Sequence, residues 1–293
     1  MNDVSKKVFL LAHCRGLTSQ TLLKLYKVDP TLKIVDELND SDYKYYFKMS
    51  QDRIDTFRYD FREVNVEKLE QNYKTNNIFF LSISDPTYPY LLKEIADPPL
   101  YLFCKGNREL LNRDNQLISV VGTRNPSTYG LKVTEHILKP LIQKNWVIVS
   151  GLAKGIDACA HRTALNNNGY TIAVIGGGFN HLYPKENKTL ALMMMPSNLI
   201  LSEYPPNSLP QKWHFPMRNR IISGLSQGTI VVEAKERSGS LITAQLALEQ
   251  NRGVFSVPGS IFESNSTGTN GLIQQGAKLI TCSSHITEEL YSV

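Results

Sequence analysis

The 293-residue sequence lacks the features that mark most secreted, membrane-bound or zinc-stabilised proteins. Its four cysteines lie far apart and form no Cys-x-x-Cys pair, so we expect reduced thiols rather than a disulfide framework or a zinc site. The apolar stretch at residues 8–12 is too short for a signal peptide. No apolar run approaches the roughly 18 residues of a membrane span. We therefore expect a cytoplasmic protein.

Sequence motifs for the common cofactors are also missing. There is no GxxxxGK[ST] loop, and the glycine-rich stretch at 176–181 has His181 where a dinucleotide fingerprint needs its third glycine. The six histidines fit no metal-ligand spacing, and SGSLITA at 238–244 is not the GxSxG turn of serine hydrolases. We expect no ATP, NAD or metal, and no cofactor at all.

Acidic residues are absent from three long stretches, residues 115–134, 158–185 and 204–232. The chain as a whole is mildly basic, with a net charge of +5. The bases within the three stretches are Arg124, Lys132, Arg162, Lys185, Lys212, Arg218 and Arg220. Such stretches would create a local positive field that attracts an anion, or they form an ordinary solvated face; charge alone leaves both interpretations open.

Residues 1–74 are predicted to form a small helical domain. Val8, Leu11 and Ala12 recur at helical spacing, and a second helix is expected after the turn at Gly16, with Thr18 or Ser19 as its cap. Two short helices joined by such a turn resemble a helix-hairpin-helix unit, whose turn amides can hold a DNA backbone. Simple packing of a helical domain explains the same pattern and is preferred.

Residues 75–293 show short, β-branched apolar runs that alternate with helical segments. The runs that follow the first two strand-like segments are LISVV (117–121), WVIVS (146–150), TIAVI (171–175), LILS (199–202), TIVV (229–232) and VFSV (254–257). Uninterrupted apolar strands are typical of a parallel sheet that helices cover on both faces. The fold class is therefore α/β: an extended Rossmann-like, doubly wound and mostly parallel sheet, preceded by the small helical domain.

Ligands of such folds bind beyond the carboxyl ends of the strands, where this sequence has small residues and bases. The candidate anion-binding residues in the first two loops are Gly122, Thr123, Arg124, Gly151, Lys154 and Gly155. Their glycines would let the backbone approach a ligand, and free amides at helix starts suit a phosphate. Asp157 is assigned to helix capping in preference to general-base catalysis, and His161 to helix packing.

A third candidate loop contains KWHFPMRNRIISGL, residues 212–225. Lys212 lies beside two large rings, so Trp213 or Phe215 could stack on a base, although Phe215 also fits a core position. If the segment is extended, Arg218 and Arg220 point to opposite sides across Asn219. We expect one arginine to face the ligand and the other to brace the loop against Glu203 or Glu233; the sequence leaves open which does which.

Nine segments together resemble the DNA processing protein A family, DprA or Smf. They cover about two thirds of the chain in order and include VVGTRNPSTYG (120–130), SGLAKGIDACAHRTAL (150–165), TIAVIGGGFNHLYPKEN (171–187), FPMRNRIISGLS (215–226) and GTNGLIQQGAKLI (268–280). Some relatives carry a winged-helix-like C-terminal domain, and we expect no function tied to such a domain here.

The resemblance implies a non-catalytic protein that binds single-stranded DNA and loads the RecA recombinase onto it during natural transformation. It implies a helical SAM-like N-terminal domain, a homodimer, and a single-strand-binding protein as a further partner to consider. The family's basic DNA-pocket positions fall on Arg124, Lys185 and Lys212, with the RNR motif at 218–220. Self-association is assigned to Leu272, Ile273 and Leu279, whose alternative role is ordinary packing at the end of the chain.

The competing hypothesis is a Rossmann-type enzyme that hydrolyses or transfers a nucleoside phosphate. Proteins that cleave cytokinin-type nucleotides carry a PGGxGTxxE motif with a catalytic glutamate. The comparable region here is EAKERSGS, residues 233–240, which lacks that motif and therefore favours binding over catalysis.

Overall fold

The computed structural model describes residues 1–113 and 116–291. The chain forms two compact units: residues 1–88 with 96–104, and residues 89–95 with 105–293. Each unit is described separately below.

The first unit begins with six helices. They are α1 (Asp3–Ala12), α2 (Ser19–Val28), α3 (Ile34–Glu37), α4 (Asp40–Phe47), α5 (Gln51–Glu63) and α6 (Val66–Thr75). Asn2 caps α1 by accepting from the amide of Ser5, and Thr18 caps α2 by accepting from the amide of Thr21.

The turn between α1 and α2 is held by side chains of α5. Gly16 has a φ of +86°, a left-handed conformation that favours glycine. Its carbonyl accepts from both Nε and Nη2 of Arg53, at 3.0 and 2.6 Å, and the amide of Arg15 donates to Asp60. These contacts pack the turn against α5 within the same unit, which is what the packing interpretation requires.

Two antiparallel strands follow, β1 (Phe79–Ser82) and β2 (Tyr101–Gly106), and the paired part of β2, residues 101–104, lies in the first unit. Their register pairs Phe79 with Cys104 and Ser82 with Tyr101. Phe9 of α1 contacts Phe80 edge to face, with ring centroids 4.9 Å apart, so the hairpin and the first helix share one aromatic core.

The second unit begins with α7 (Tyr90–Lys93) and continues as alternating strands and helices. Its strands are β3 (Leu117–Val121), β4 (Val147–Ser150), β5 (Thr171–Ile175), β6 (Leu199–Ser202), β7 (Gly228–Val231), β8 (Gly253–Ser256) and β9 (Lys278–Leu279). Its further helices are α8 (Thr128–Gln143), α9 (Ile156–Asn166), α10 (Lys188–Met194), α11 (His214–Gly224), α12 (Gly239–Glu249), α13 (Thr267–Gln274) and α14 (Ser284–Tyr291).

These strands are parallel and lie in the order β6-β5-β4-β3-β7-β8-β9. The chain starts at β3 and builds outward to β6, then returns to β7 and builds outward in the other direction. Strand order therefore reverses between β3 and β7, the switch point at which doubly wound folds bind ligands. The predicted α/β, mostly parallel and doubly wound fold is confirmed.

The core of the second unit explains why these segments become strands. All residues of β3, β4 and β5 are buried, as expected for strands that are covered on both faces. Ile118, Ile148, Ile230 and Phe255 from four strands pack with Trp146 and with the apolar sides of α8 and α9. This rigid core fixes the loops at the carboxyl ends of the strands, where the candidate site lies.

Candidate functional site

A small pocket lies beyond the carboxyl ends of β4 and β5. Its lining residues are Arg124, Gly151, Ala153, Lys154, Tyr183, Pro184, Phe215 and Arg218. Three cations and two aromatic rings thus surround one opening, which suits a ligand that carries both negative charge and a flat apolar group.

Arg218 is the buried cation of this pocket. It lies in α11 with 5% exposure, and its Nη1 donates to the carbonyls of Gly151 and Val174, the latter at 2.5 Å. Burial lowers the pKa of Arg218 to about 10, so the guanidinium is charged at neutral pH. Its Nε finds no acceptor in the described part of the chain. A buried donor of this kind gains the most from an anionic ligand.

Arg220 has the opposite role, although it lies only two residues away on α11. Its Nη1 and Nη2 donate to the two carboxylate oxygens of Glu203 at 2.9 and 2.7 Å, and both side chains are buried. Residues 214–224 form a helix, so the extended conformation considered for this segment is wrong. The two arginines still diverge because a two-residue step turns about 200° around a helix. Arg220 therefore braces the fold against Glu203, and Arg218 lines the pocket.

Asn219, between the two arginines, is half-buried, and its carbonyl accepts from Oγ of Ser223. Its side chain does not line the pocket.

The candidate glycines pack loops together. A Cβ on Gly151 would overlap the guanidinium of Arg218, and one on Gly122 would lie 2.7 Å from Cγ1 of Ile156. Gly155 has a φ of +75°, and a Cβ there would overlap the carbonyl of Thr123. The close backbone approach expected at these glycines is present, but here it allows two segments of the protein, rather than a ligand, to pack against the glycine.

Asp157 does not cap α9, contrary to expectation, because Gly155 occupies the cap position. One of its carboxylate oxygens accepts from the amides of Gly151 and Ala153, at 3.1 and 3.3 Å, and so shapes the loop after β4. Burial raises the pKa of Asp157, and the charge of Arg218 opposes that rise. The aspartate therefore supports the backbone that holds the buried arginine.

His161 is a packed helix residue, as expected. The hydroxyl of Thr171 donates to the carbonyl of Ile148, so it accepts from Nδ1–H of His161 at 2.6 Å. Burial lowers the pKa of His161 to about 3, which keeps the ring neutral. His161 is not among the residues that line the pocket.

The other candidate cations are exposed: Arg124, Lys154, Lys185 and Lys212. Arg124 and Lys154 line the pocket, and Lys154 pairs with Glu186 at 2.5 Å. Lys185 follows the lining residue Pro184, and Lys212 lies two residues before α11; neither lines the pocket itself. Both lysines are close in sequence to lining residues, and their exposed side chains are accessible to a ligand that extends beyond the pocket.

The two candidate stacking rings differ in their surroundings. Phe215 lines the pocket half-buried, with its ring 5.7 Å from that of Tyr183. Trp213 is 62% exposed and contacts His214 edge to face at 4.1 Å. Tyr183 was not among the candidates predicted from the sequence. The signal that could have found it is a tyrosine within the loop that follows the buried strand β5, in the segment HLYPKEN.

Glu233, two residues after the end of β7, organises the loop that carries Arg124. Its carbonyl accepts from the amide of Thr123 at 2.7 Å. Its carboxylate accepts from the amide and hydroxyl of Ser127, at 3.0 and 2.5 Å. The side chain is buried and does not line the pocket. Sequence reasoning considered Glu233 only as a partner for an arginine or as a catalyst.

The candidate self-association residues lie on α13 and β9. Leu272 is buried, Ile273 is half-buried, and Leu279 is 42% exposed on the last strand of the sheet order. Leu272 therefore packs within its own unit. Leu279 and the open edge of β9 are the features of this segment that another chain could reach.

Comparison with known proteins places the chain in a family. The model for DNA recombination-mediator protein A matches residues 79–291. The DNA processing protein DprA of Bacillus subtilis is 48% identical over 276 residues, which cover 94% of this chain and 91% of that one. The chain belongs to the DprA/Smf family.

Solved structures of the family agree with this assignment. DprA from Streptococcus pneumoniae superposes with a TM-score of 0.83 at 41% identity and covers 99% of both chains. DprA from Helicobacter pylori, described with its binding of single-stranded DNA, superposes with a TM-score of 0.65 at 30% identity. That likeness covers 73% of this chain and 96% of the other.

Across residues 1–113 and 116–291, no helix is both long and apolar enough to cross a membrane. The same part of the chain contains no cluster of three or more side chains suited to hold a metal ion.

Proposed function

We propose that this protein binds single-stranded DNA in the pocket beyond β4 and β5 without catalysis. The observation that carries the proposal is Arg218, a buried guanidinium whose Nε–H has no acceptor in the described part of the chain and which lines the pocket with Phe215 and Tyr183. A phosphate would accept from the arginine, and a base would stack on a ring. The H. pylori relative that binds single-stranded DNA supports the same ligand class.

A pocket of this kind favours single strands over duplexes. A base can reach Phe215 only when it is unpaired and unstacked, and the pocket is too small to admit a double helix. Arg124, Lys154, Lys185 and Lys212 would follow the backbone at the pocket mouth, with Trp213 as a second stacking position.

We further propose that the protein delivers this DNA to a RecA-type recombinase in the cytoplasm as a homodimer. This extends what the name of its family, DNA recombination-mediator protein A, indicates. Residues 1–74 would form a helical accessory domain and residues 75–293 the DNA-binding domain. Of the three candidate self-association residues, Leu279 on the edge strand β9 is the most exposed, so we assign the proposed dimer contact to it.

The experiment is a mobility shift with single-stranded and double-stranded DNA of equal length at several salt concentrations. We expect much tighter binding of the single strand and a steep fall with salt, since phosphate contacts release counterions. Equal affinity for both forms would contradict the proposal. Recombinase loading is tested separately: this protein should shorten the lag of RecA filament growth on DNA coated with single-strand-binding protein.

The alternative function, nucleoside-phosphate hydrolysis or transfer, depends on Glu233 as a catalyst. The carboxylate is instead buried and engaged by Ser127, and it lies outside the pocket lining. Incubation with nucleoside monophosphates tests this alternative directly. Release of free base that Glu233→Gln abolishes would establish catalysis and overturn the proposed function.

A further inference from the structure

The switch point between β3 and β7 contains a carboxylate of the protein itself. In doubly wound folds this crevice, at the N-terminus of the first helix, is where a ligand's phosphate is held by free amides. Here that helix is α8, and Ser127 is its cap. The amide and hydroxyl of Ser127 donate to Oε2 and Oε1 of Glu233 at 3.0 and 2.5 Å. Glu233 is only 3% exposed.

The first turn of α8 closes around this carboxylate. The amide of Gly130 donates to Oγ of Ser127 at 3.1 Å, so the cap hydroxyl links the helix amide to Glu233. A Cβ on Gly130 would overlap Oε2 of Glu233. The negative charge that the helix N-terminus favours is thus supplied from within the chain, and a mononucleotide phosphate could enter only by displacing it.

The same glutamate controls the loop that carries Arg124. Its carbonyl accepts from the amide of Thr123 on one side of Arg124, and its carboxylate holds Ser127 on the other. A further bond from Nδ2 of Asn265 reaches the carbonyl of Asn125, at 3.2 Å. Both ends of a five-residue loop are therefore fixed to the segment after β7, and the exposed side chain of Arg124 is left at the pocket.

We propose that Glu233 is the positioning and specificity-determining residue of the binding site. Its carboxylate takes the place of a mononucleotide phosphate at α8 and holds the loop of Arg124 toward the neighbouring pocket, where a phosphate of a DNA strand binds. The positioning of Arg124 for DNA rests on the proposed function, whereas the replacement of a phosphate by the Glu233 carboxylate does not.

A double-mutant cycle tests the positioning role. Glu233→Gln fills the same space without the charge, and Arg124→Ala removes the cation that Glu233 is proposed to position. Each single variant should weaken single-strand binding about tenfold and lower the salt slope by about 0.7, the share of one phosphate contact. The double variant should bind like either single variant, because both changes remove one contact. Additive losses, or an unchanged slope in Glu233→Gln, would overturn the positioning role.

Chemical rescue tests the built-in anion independently of DNA. Glu233→Ala leaves a carboxylate-sized space, so sodium acetate should raise its melting temperature more than sodium chloride of equal ionic strength. Wild type and Glu233→Gln, in which the space is filled, should respond alike to both salts. Adding Ser127→Ala should reduce the acetate effect. Equal responses of Glu233→Ala to the two salts, or failure to fold in either, would overturn the built-in anion.

The outcomes separate this inference from the proposed function. If wild type binds no single-stranded DNA, the proposed function fails, whereas acetate rescue of Glu233→Ala would still establish the built-in anion. If wild type binds DNA and Glu233→Gln binds it equally well, the proposed function stands and the positioning role of Glu233 is wrong.

Discussion

Removal of the three exposed cations Arg124, Lys185 and Lys212 should change the salt dependence of DNA binding without changing the fold. In residues 1–113 and 116–291 none of the three forms an ion pair with a carboxylate, so their replacement by alanine leaves no charge unpaired. Each cation that neutralises one phosphate of a single strand contributes about 0.7 to the slope of log affinity against log salt. The triple variant should therefore lose about 2 from that slope.

The magnitude is large enough to measure in one salt series. Between 50 and 200 mM salt, a slope difference of about 2 changes the ratio of wild-type to variant affinity by roughly 20-fold. Fluorescence anisotropy of a labelled oligonucleotide gives the affinities, and circular dichroism confirms the fold. Sequence preference should hardly change, because phosphates carry no base information.

A matched variant separates local contact from overall charge. Lys132, Lys139 and Lys144 are exposed on α8 or at its end and line no part of the pocket. Their triple alanine variant loses the same net charge, and its slope should stay close to that of wild type. An unchanged slope in the folded Arg124, Lys185, Lys212 variant, or an equal loss in both variants, would refute the contact assignment.

Gly151→Ala should displace the guanidinium of Arg218 and lower DNA affinity about tenfold, whereas Gly239→Ala, whose Cβ meets nothing within 4 Å, should not; equal affinities would count against the pocket. Leu279→Glu should yield a folded monomer by light scattering, and a wild type that is already monomeric at micromolar concentration would disprove the dimer. Burial lowers the pKa of His161 from 6.5 to about 3, so below pH 6.5 the unfolded chain takes up a proton at this residue and the folded chain does not. The stability that the neutral ring contributes above pH 6.5 is therefore lost as the pH falls toward 3. Between pH 7 and 5, wild type should lose about 2 kcal/mol more unfolding free energy than His161→Gln; parallel urea profiles would contradict this.

The strands β3 to β8 were predictable from local sequence, whereas the short β9 was not among the predicted runs. LISVV, TIAVI and LILS coincide with β3, β5 and β6, and the other three runs are displaced by at most one residue at an end. The reason is physical: a parallel strand covered on both faces must be apolar throughout, and that requirement is visible within five residues. The loops that follow these strands were located for the same reason.

Partners across the sheet were only partly predictable. One arginine was expected to pair with Glu203 or Glu233, but the sequence did not show that Arg220 and Glu203 would form the pair. Nor did it show that Arg218 would find the carbonyls of Gly151 and Val174, because these contacts join residues that are distant in sequence. The capping role expected of Asp157 was wrong for a related reason. Its carboxylate meets the amides of the preceding loop, and the backbone of that loop is shaped by the left-handed Gly155.

Arg218 would meet the proposed ligand with its conformational freedom already lost, because main-chain carbonyls and close packing hold the guanidinium in place. The exposed cations keep their rotamers and act through solvent at a distance. The two kinds of cation should therefore affect different rate constants of the proposed binding. Exposed charges govern the rate of encounter and its sensitivity to ionic strength, whereas the buried arginine governs how long a strand stays bound.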